Sequence, residues 1–265
     1  YVVTGNFSGK AAKEAEKYGT VNIAWTGKGE DFRRIPRQEE LKLSPDADYV
    51  HICFNNTIYG SCWDYIPDTG DMPLVADLSS CILSRPIDVS KFAVIYAGAQ
   101  KNVAPAGLTI VIIREDMLHN VNPICPTMCD YTINAEAKSM HNTPPCWSIY
   151  ICKLVMDWLI SIGGLEEMER RNLKKAALLY DYLDSTSFYK ANVSPESRSI
   201  MNVRFSTPNE ELDAKFVKES VAAGMTNLKG HRSAGGLRAS IYNCMPYEGV
   251  ECLVNFMKKF EAENK

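Results

Sequence analysis

The sequence predicts an α/β protein: a mostly parallel sheet with one antiparallel strand in a large domain over residues 1–162, then a smaller C-terminal α+β domain over 163–265. Three observations carry this. DYVHICF (48–54), PLVAD (73–77) and KFAVIYAG (91–98) are short apolar runs, and each ends in polar residues. Residues 78–91 between the second and third are enough for the crossover of about a dozen residues that parallel strands need. Beyond residue 163, helical periodicity alternates with strand-like runs instead of βαβ units.

In chain order, YVVT (1–4) is β-branched and apolar and reads as a strand, with Gly5–Gly9 as a turn. KAAKEAEKYG follows as a helix stopped at Gly19. VNIAW (21–25) is a strand, and the charged stretch to about residue 46 is loop with a short helix. GLTIVII (107–113) follows Lys101 across residues 102–106 alone, too short for a parallel crossover, so an antiparallel neighbour is expected. PCWSIYICKLVMDWLISIGG is an apolar helix ended by Gly163 and Gly164, and LEEMERRNLKKAALLYDYLDS an amphipathic one with Glu166 and Glu167 in its first turn. SIMNVRFST (199–207) and GLRASIYN (236–243) are strands; residues 209–224 and YEGVECLVNFMKKFEAE are helices.

A charged fraction of 23% and a net charge of −3 give no general reason to expect nucleic acid or an anionic membrane as partner. No run approaches the ~18 apolar residues of a membrane span. The nine cysteines are scattered singly, which implies reduced thiols and a cytoplasmic setting. Cys125 and Cys129 lack a second pair, so they read as buried small hydrophobes and no metal site is expected. The opening YVVTGNFSG runs from strand into turn with no leader or initiator Met, as though the chain begins inside a fold.

In open α/β sheets ligands gather beyond the carboxyl ends of the strands. There the sequence places Thr57, Asp77, Gln100 and Lys101. Position alone makes Lys101 a solvated loop lysine and Asp77 a turn cap. Together, on adjacent strand ends, they suit pyridoxal 5'-phosphate, which needs a lysine amine for its Schiff base and a carboxylate to keep its ring nitrogen protonated. His231, Arg232 and Arg238 in GHRSAGGLRAS form a basic cluster able to grip carboxylate or phosphate, or else a solvated basic turn. No wider basic stripe accompanies it, so nucleic acid fits poorly. HNTPP (141–145) is a polar loop capping the helix that follows.

The segment VADLSS…SRPIDVSKFAVIYAGAQKNVAPAGLTIVIIRED closely resembles the phosphoserine aminotransferase family of the class V, fold type I group. GHRSAGGLRASIYN and HNTPPCWSIY are similar to two further family blocks. The resemblance covers the whole chain. It implies a Schiff base at Lys101, Gln100 against the cofactor phosphate, Asp77 on the pyridine nitrogen and Thr57 on the phenolic oxygen. It also implies Asn142 and Thr143 reaching the cofactor phosphate of a neighbouring subunit, hence a homodimer with shared active sites. Arg238 is expected on the substrate α-carboxylate, with His231 and Arg232 near its phosphate. Phe7 stands where the family usually has a tryptophan stacked on the cofactor; bottom-up, it is a core aromatic under the turn. The family's upstream glycine-rich phosphate segment and further basic residues are not in this sequence.

The expected reaction is reversible transamination of 3-phosphohydroxypyruvate with glutamate, giving phosphoserine and 2-oxoglutarate in serine biosynthesis. The alternatives are another class V member, of the alanine–glyoxylate type or a cysteine desulfurase, and a truncated, catalytically impaired dimer of the same fold. The desulfurase requires a cysteine on a mobile loop, and none here has that setting.

Overall fold

Residues 1–265 are described by a computed structural model in which a four-stranded sheet sits at the centre of the larger half. Strand β1 (Val2–Val3) leads straight into helix α1 (Asn6–Ala15), and β1 pairs in parallel with β2 (Trp25–Thr26). Strands β3 (Val50–Cys53), β4 (Leu74–Asp77) and β5 (Val94–Gly98) are parallel, and β6 (Thr109–Ile113) closes the row antiparallel to β5. The expected mixed sheet is therefore present, with its one reversed strand where the short link 102–106 demands it.

After β6 come a short helix α2 (Tyr131–Glu136), α3 (Cys146–Ser161) and α4 (Gly164–Ser185). Gly163, at φ +111°, makes the break between α3 and α4 in a conformation that few other residues tolerate. Strands β7 (Lys190–Ala191), β8 (Asn202–Ser206) and β9 (Leu237–Ser240) then form an antiparallel sheet backed by α5 (Glu210–Ala222) and α6 (Tyr247–Asn264).

Alternation along β3, β4 and β5 explains the packing. Ile52, Ala76, Ile95 and Ala97 face one side and are buried among Phe54, Trp63, Leu78 and Val103. A second core gathers α4, α6 and the antiparallel sheet; its centre is aromatic, with Phe216 and Phe260 meeting edge-on at 5.1 Å.

Two expectations fail near the start. Helix α1 begins at Asn6, inside the segment read as a turn, because Ser8 Oγ accepts from the Thr4 and Gly5 amides and so satisfies the first donors. VNIAW yields strand only from Trp25, in Trp25–Thr26: Ile23 is exposed, and Ala24, which donates to Tyr1 O just ahead of β1, gives its carbonyl to Lys42 N in the following loop. Nor are Cys125 and Cys129 buried; Cys129 is exposed in a 3-10 turn, although all nine cysteines are free. No single helix is long and apolar enough to cross a membrane.

Candidate active site

The site forms where β3, β4 and β5 end on one edge. Asp77 is the last residue of β4, in register with Cys53 on one side and Tyr96 on the other. Its carboxylate is fixed from both ends: Oδ1 accepts from the Ser79 amide at 2.8 Å, and the Cys53 thiol lies 3.9 Å from Oδ2. Burial holds the Cys53 thiol well above its ordinary pKa, so it stays a neutral donor toward the acid. Ser79 then reaches across to accept from the Gly98 amide, stitching the end of β4 to the end of β5.

Lys101 follows β5 in a tight turn in which Ala99 O accepts from both Val103 N and Ala104 N. The next residue locks the turn: Asn102 donates to Ile82 O and accepts from Asn243 N, tying it to the C-terminal half. The half-buried Lys101 amine donates to Thr57 Oγ1 at 3.1 Å and lies 5.7 Å from the centre of the Phe7 ring. Burial lowers its pKa below the ordinary lysine value, outweighing the opposing pull of Asp77. A half-buried amine of lowered pKa beside a fixed carboxylate is the donor set that a pyridoxal ring requires, so these residues fit that cofactor. Gln100 is exposed and folds back over Gly98, where a Cβ would sit 2.6 Å from its Oε1.

Phe7 is held by its helix start. Thr4 Oγ1 donates to Asn56 Oδ1, and a Cβ on Gly5 would meet that oxygen at 2.7 Å. Phe7 is 45% exposed, so it faces the mouth and is no core aromatic. Arg238 on β9 enters from the C-terminal half, donating Nη1 to Thr57 O at 3.2 Å, while its buried Nε has no partner. Most of that guanidinium is thus free for an anion. His231 and Arg232 lie on the loop before β9; the Ser233 amide donates to His231 Nδ1, which leaves Nε2 as the donor of the neutral ring. Asn142 and Thr143 are exposed in the approach to α3, and no hydrogen bond links them to the Lys101 cluster.

Cys53, Tyr96 and Ser79 in its bracing role escape a linear reading. Their only signal is strand register, which appears once β3, β4 and β5 are aligned at Asp77.

Residues 3–253 match the model of the class-V aminotransferases. The chain is 55% identical over 263 residues to a phosphoserine aminotransferase of Janthinobacterium sp. (strain Marseille), covering 99% of this chain and 72% of that one. A structure of phosphoserine aminotransferase from Bacillus circulans subsp. alkalophilus superposes with a TM-score of 0.98 at 44% identity, covering 100% of this chain and 74% of that one. A PLP-bound phosphoserine aminotransferase from Trichomonas vaginalis superposes at 0.90 with 39% identity, covering 97% and 74%. Fold and site together define a pyridoxal-phosphate-dependent aminotransferase of class V. Within that class, the chain belongs to the phosphoserine aminotransferases.

Proposed function

We propose that this chain catalyses reversible transfer of an amino group between phosphoserine and 2-oxoglutarate, giving 3-phosphohydroxypyruvate and glutamate, with Lys101 as its reactive amine. The observation that carries this is the half-buried Lys101 amine, its pKa lowered by burial, in one mouth with Asp77, Thr57 and Arg238.

When bound, pyridoxal phosphate supplies the aldehyde that takes up the amino group and the ring that withdraws electrons from the substrate Cα. Lys101 would hold the cofactor, and its Nζ would serve as the base that moves the Cα proton. Asp77 would keep the ring nitrogen protonated, Thr57 would donate to the phenolic oxygen, and Phe7 would cover the ring face. Gln100 would hold the cofactor phosphate together with Asn142 and Thr143 of a second subunit. Arg238 orients the substrate by its α-carboxylate, while His231 and Arg232 receive the distal anion, phosphate or the glutamate side chain in turn.

The same reading includes a homodimer with shared sites, a cytoplasmic location in keeping with nine unpaired thiols, and a division into residues 1–162 and 163–265. Two separate cores, one around the parallel sheet and one around α4 and α6, support that division.

Adding pyridoxal phosphate is expected to give a near-ultraviolet absorbance band that is lost in Lys101→Ala. Holoprotein should then transfer nitrogen from phosphoserine to 2-oxoglutarate far faster than from serine or alanine. A fully assembled protein that takes up no cofactor overturns the reading; equal rates with serine and phosphoserine overturn its phosphate end.

A further inference from the structure

Arg204 lies on β8 in register with Arg238 on β9, so the two guanidinium groups start from neighbouring positions on one face of the sheet. Like charges directly opposite each other are unfavourable unless one is answered. Arg204 is answered: Nη1 pairs with Asp31 at 2.9 Å, in contrast to Arg238, whose hydrogen bond goes to a backbone carbonyl. Arg204 is also buried, at 6% exposure, with its Nε unpartnered, a costly position for a group that serves only a surface ion pair.

Its remaining contacts converge on the loop carrying His231 and Arg232. Nη2 donates to Ala234 O at 2.5 Å. That loop is closed on itself by the Gly230 amide donating to Gly236 O, and by Gly235 and Gly236 at φ +66° and +64°. Gly230 has no room for a side chain, since a Cβ would meet Gly235 O at 2.1 Å. Arg204 therefore holds the rear of a small, closed ring whose front bears the basic pair.

The same side chain is held from a second direction. Its guanidinium sits 5.6 Å from the centre of the Tyr59 ring, beside Gly60, where a Cβ would fall 3.2 Å from the Arg204 Cβ. Tyr59 packs on Phe32 at 4.6 Å, and Asp31 and Phe32 hold successive left-handed conformations, φ 51° and 52°. Two such non-glycine residues in a row are strained and persist only where surrounding contacts impose them. Arg204 and Tyr59 supply those contacts. Three segments distant in sequence, 31–32, 59–60 and 230–236, thus meet at one side chain.

We propose that Arg204 is a positioning residue for the distal-anion end of the pocket. It touches no substrate, but fixes the 230–236 loop so that His231 and Arg232 present their donors at a set distance from Arg238. A substrate held by its carboxylate on Arg238 is then measured by length and by the charge at its far end. This inference rests on the reading above, in which His231 and Arg232 take the distal anion.

The probe is 3-phosphoglycerate, which carries carboxylate and phosphate but neither amine nor ketone, with glycerate as its dephosphorylated control; both are titrated calorimetrically into holoprotein. Arg204→Met is expected to weaken 3-phosphoglycerate about tenfold, the size of one charge-assisted contact set out of place. Glycerate affinity and the cofactor absorbance should not move. Because Arg204 acts through the loop, Arg204→Met added to His231→Ala should cost little beyond His231→Ala alone. Should Arg204→Met not fold, Arg204→Lys keeps a stem against Tyr59 but cannot serve Asp31 and Ala234 O together, and the same direction of change is expected. An unchanged 3-phosphoglycerate affinity, an equal loss for glycerate, or full additivity with His231→Ala overturns the proposal. A wild-type holoprotein that binds both probes equally overturns the phosphate assignment itself, independently of Arg204.

Discussion

The chemistry proposed for Lys101 rests on what surrounds it at the distance of one hydrogen bond. Thr57 accepts from its amine, burial disfavours its proton, and Asn102 anchors the turn that aims it. Phe7 has its own control, since its helix starts against Asn56, whose neighbour in sequence is Thr57. Gly5 permits that contact: its backbone is extended, a conformation any residue can adopt, but a Cβ would sit 2.7 Å from Asn56 Oδ1. Gly5→Ala is therefore expected to push the start of α1 away from the Thr57 loop. The expected cost is about 1–3 kcal/mol in denaturant unfolding, as for overpacking at a close-packed site. Weaker cofactor binding in fluorescence titration should accompany it. Unchanged cofactor affinity would disconnect Phe7 from the site. No glycine pattern in TGNFSG announces this, because Asn56 is some fifty residues further along and the clash exists only after folding.

The elements divide into those that local pattern can reveal and those that only packing creates. Strands β3, β4 and β5 were legible because each is a run with one side buried and chemistry at its end; the ten residues 99–108 between β5 and β6, too few for a parallel crossover, forced the reversal of β6. The basic GHR segment was visible as charge, but its closed loop and its brace to Arg204 join residues about thirty apart across two strands. A polar strap between α4 and β9 was equally silent. Lys175, which reads as an exposed helical lysine, is buried and donates to Ile241 O and Tyr242 O just past β9. Its neighbour Asn172 donates to Ser84 O and to Asn243 Oδ1. Burial lowers the Lys175 pKa to about 8. The unfolded chain keeps that proton up to its ordinary value near 10.5, so between these two values it binds more protons than the folded state. Stability carried by this group is therefore expected to rise as pH rises through that window, by up to about 3 kcal/mol. Urea unfolding from pH 7.5 to 10 (roughly the window set by these two pKa values) should show the upward slope, and Lys175→Met should remove it. An identical slope in the variant would return Lys175 to an ordinary solvated lysine. Asn172→Ala leaves the Ser84 carbonyl and Asn243 short of a donor, and is expected to lower stability by about 1–3 kcal/mol at any pH.

At the scale of the whole molecule the telling feature is where apolar surface lies. Helix α3 was expected to be apolar, and an apolar helix in a lone globular chain belongs in the core. Here Trp147, Tyr150, Leu154 and Trp158, which share one face of the helix, are all exposed. Such a contiguous apolar stripe marks an interaction surface. The loop that leads into α3 holds Asn142 and Thr143, which have no link to the Lys101 cluster of their own chain. The dimer proposed above would account for both facts: two copies would join along α3, each directing its 142–143 loop into the other's cofactor site. Trp147, 67% exposed on the first turn of α3, is the residue that connects interface to loop. Trp147→Glu is expected to shift the protein from dimer to monomer in sedimentation equilibrium at micromolar concentration. Burying an unpaired carboxylate at an apolar interface costs several kcal/mol, enough to raise a dimer dissociation constant by two or more powers of ten. Because the phosphate end of each site comes from the partner in this arrangement, cofactor affinity should fall in the same variant, and Asn142→Ala should lower cofactor affinity while leaving the dimer intact. A monomeric Trp147→Glu protein that binds pyridoxal phosphate as tightly as the dimer would confine each site to its own chain.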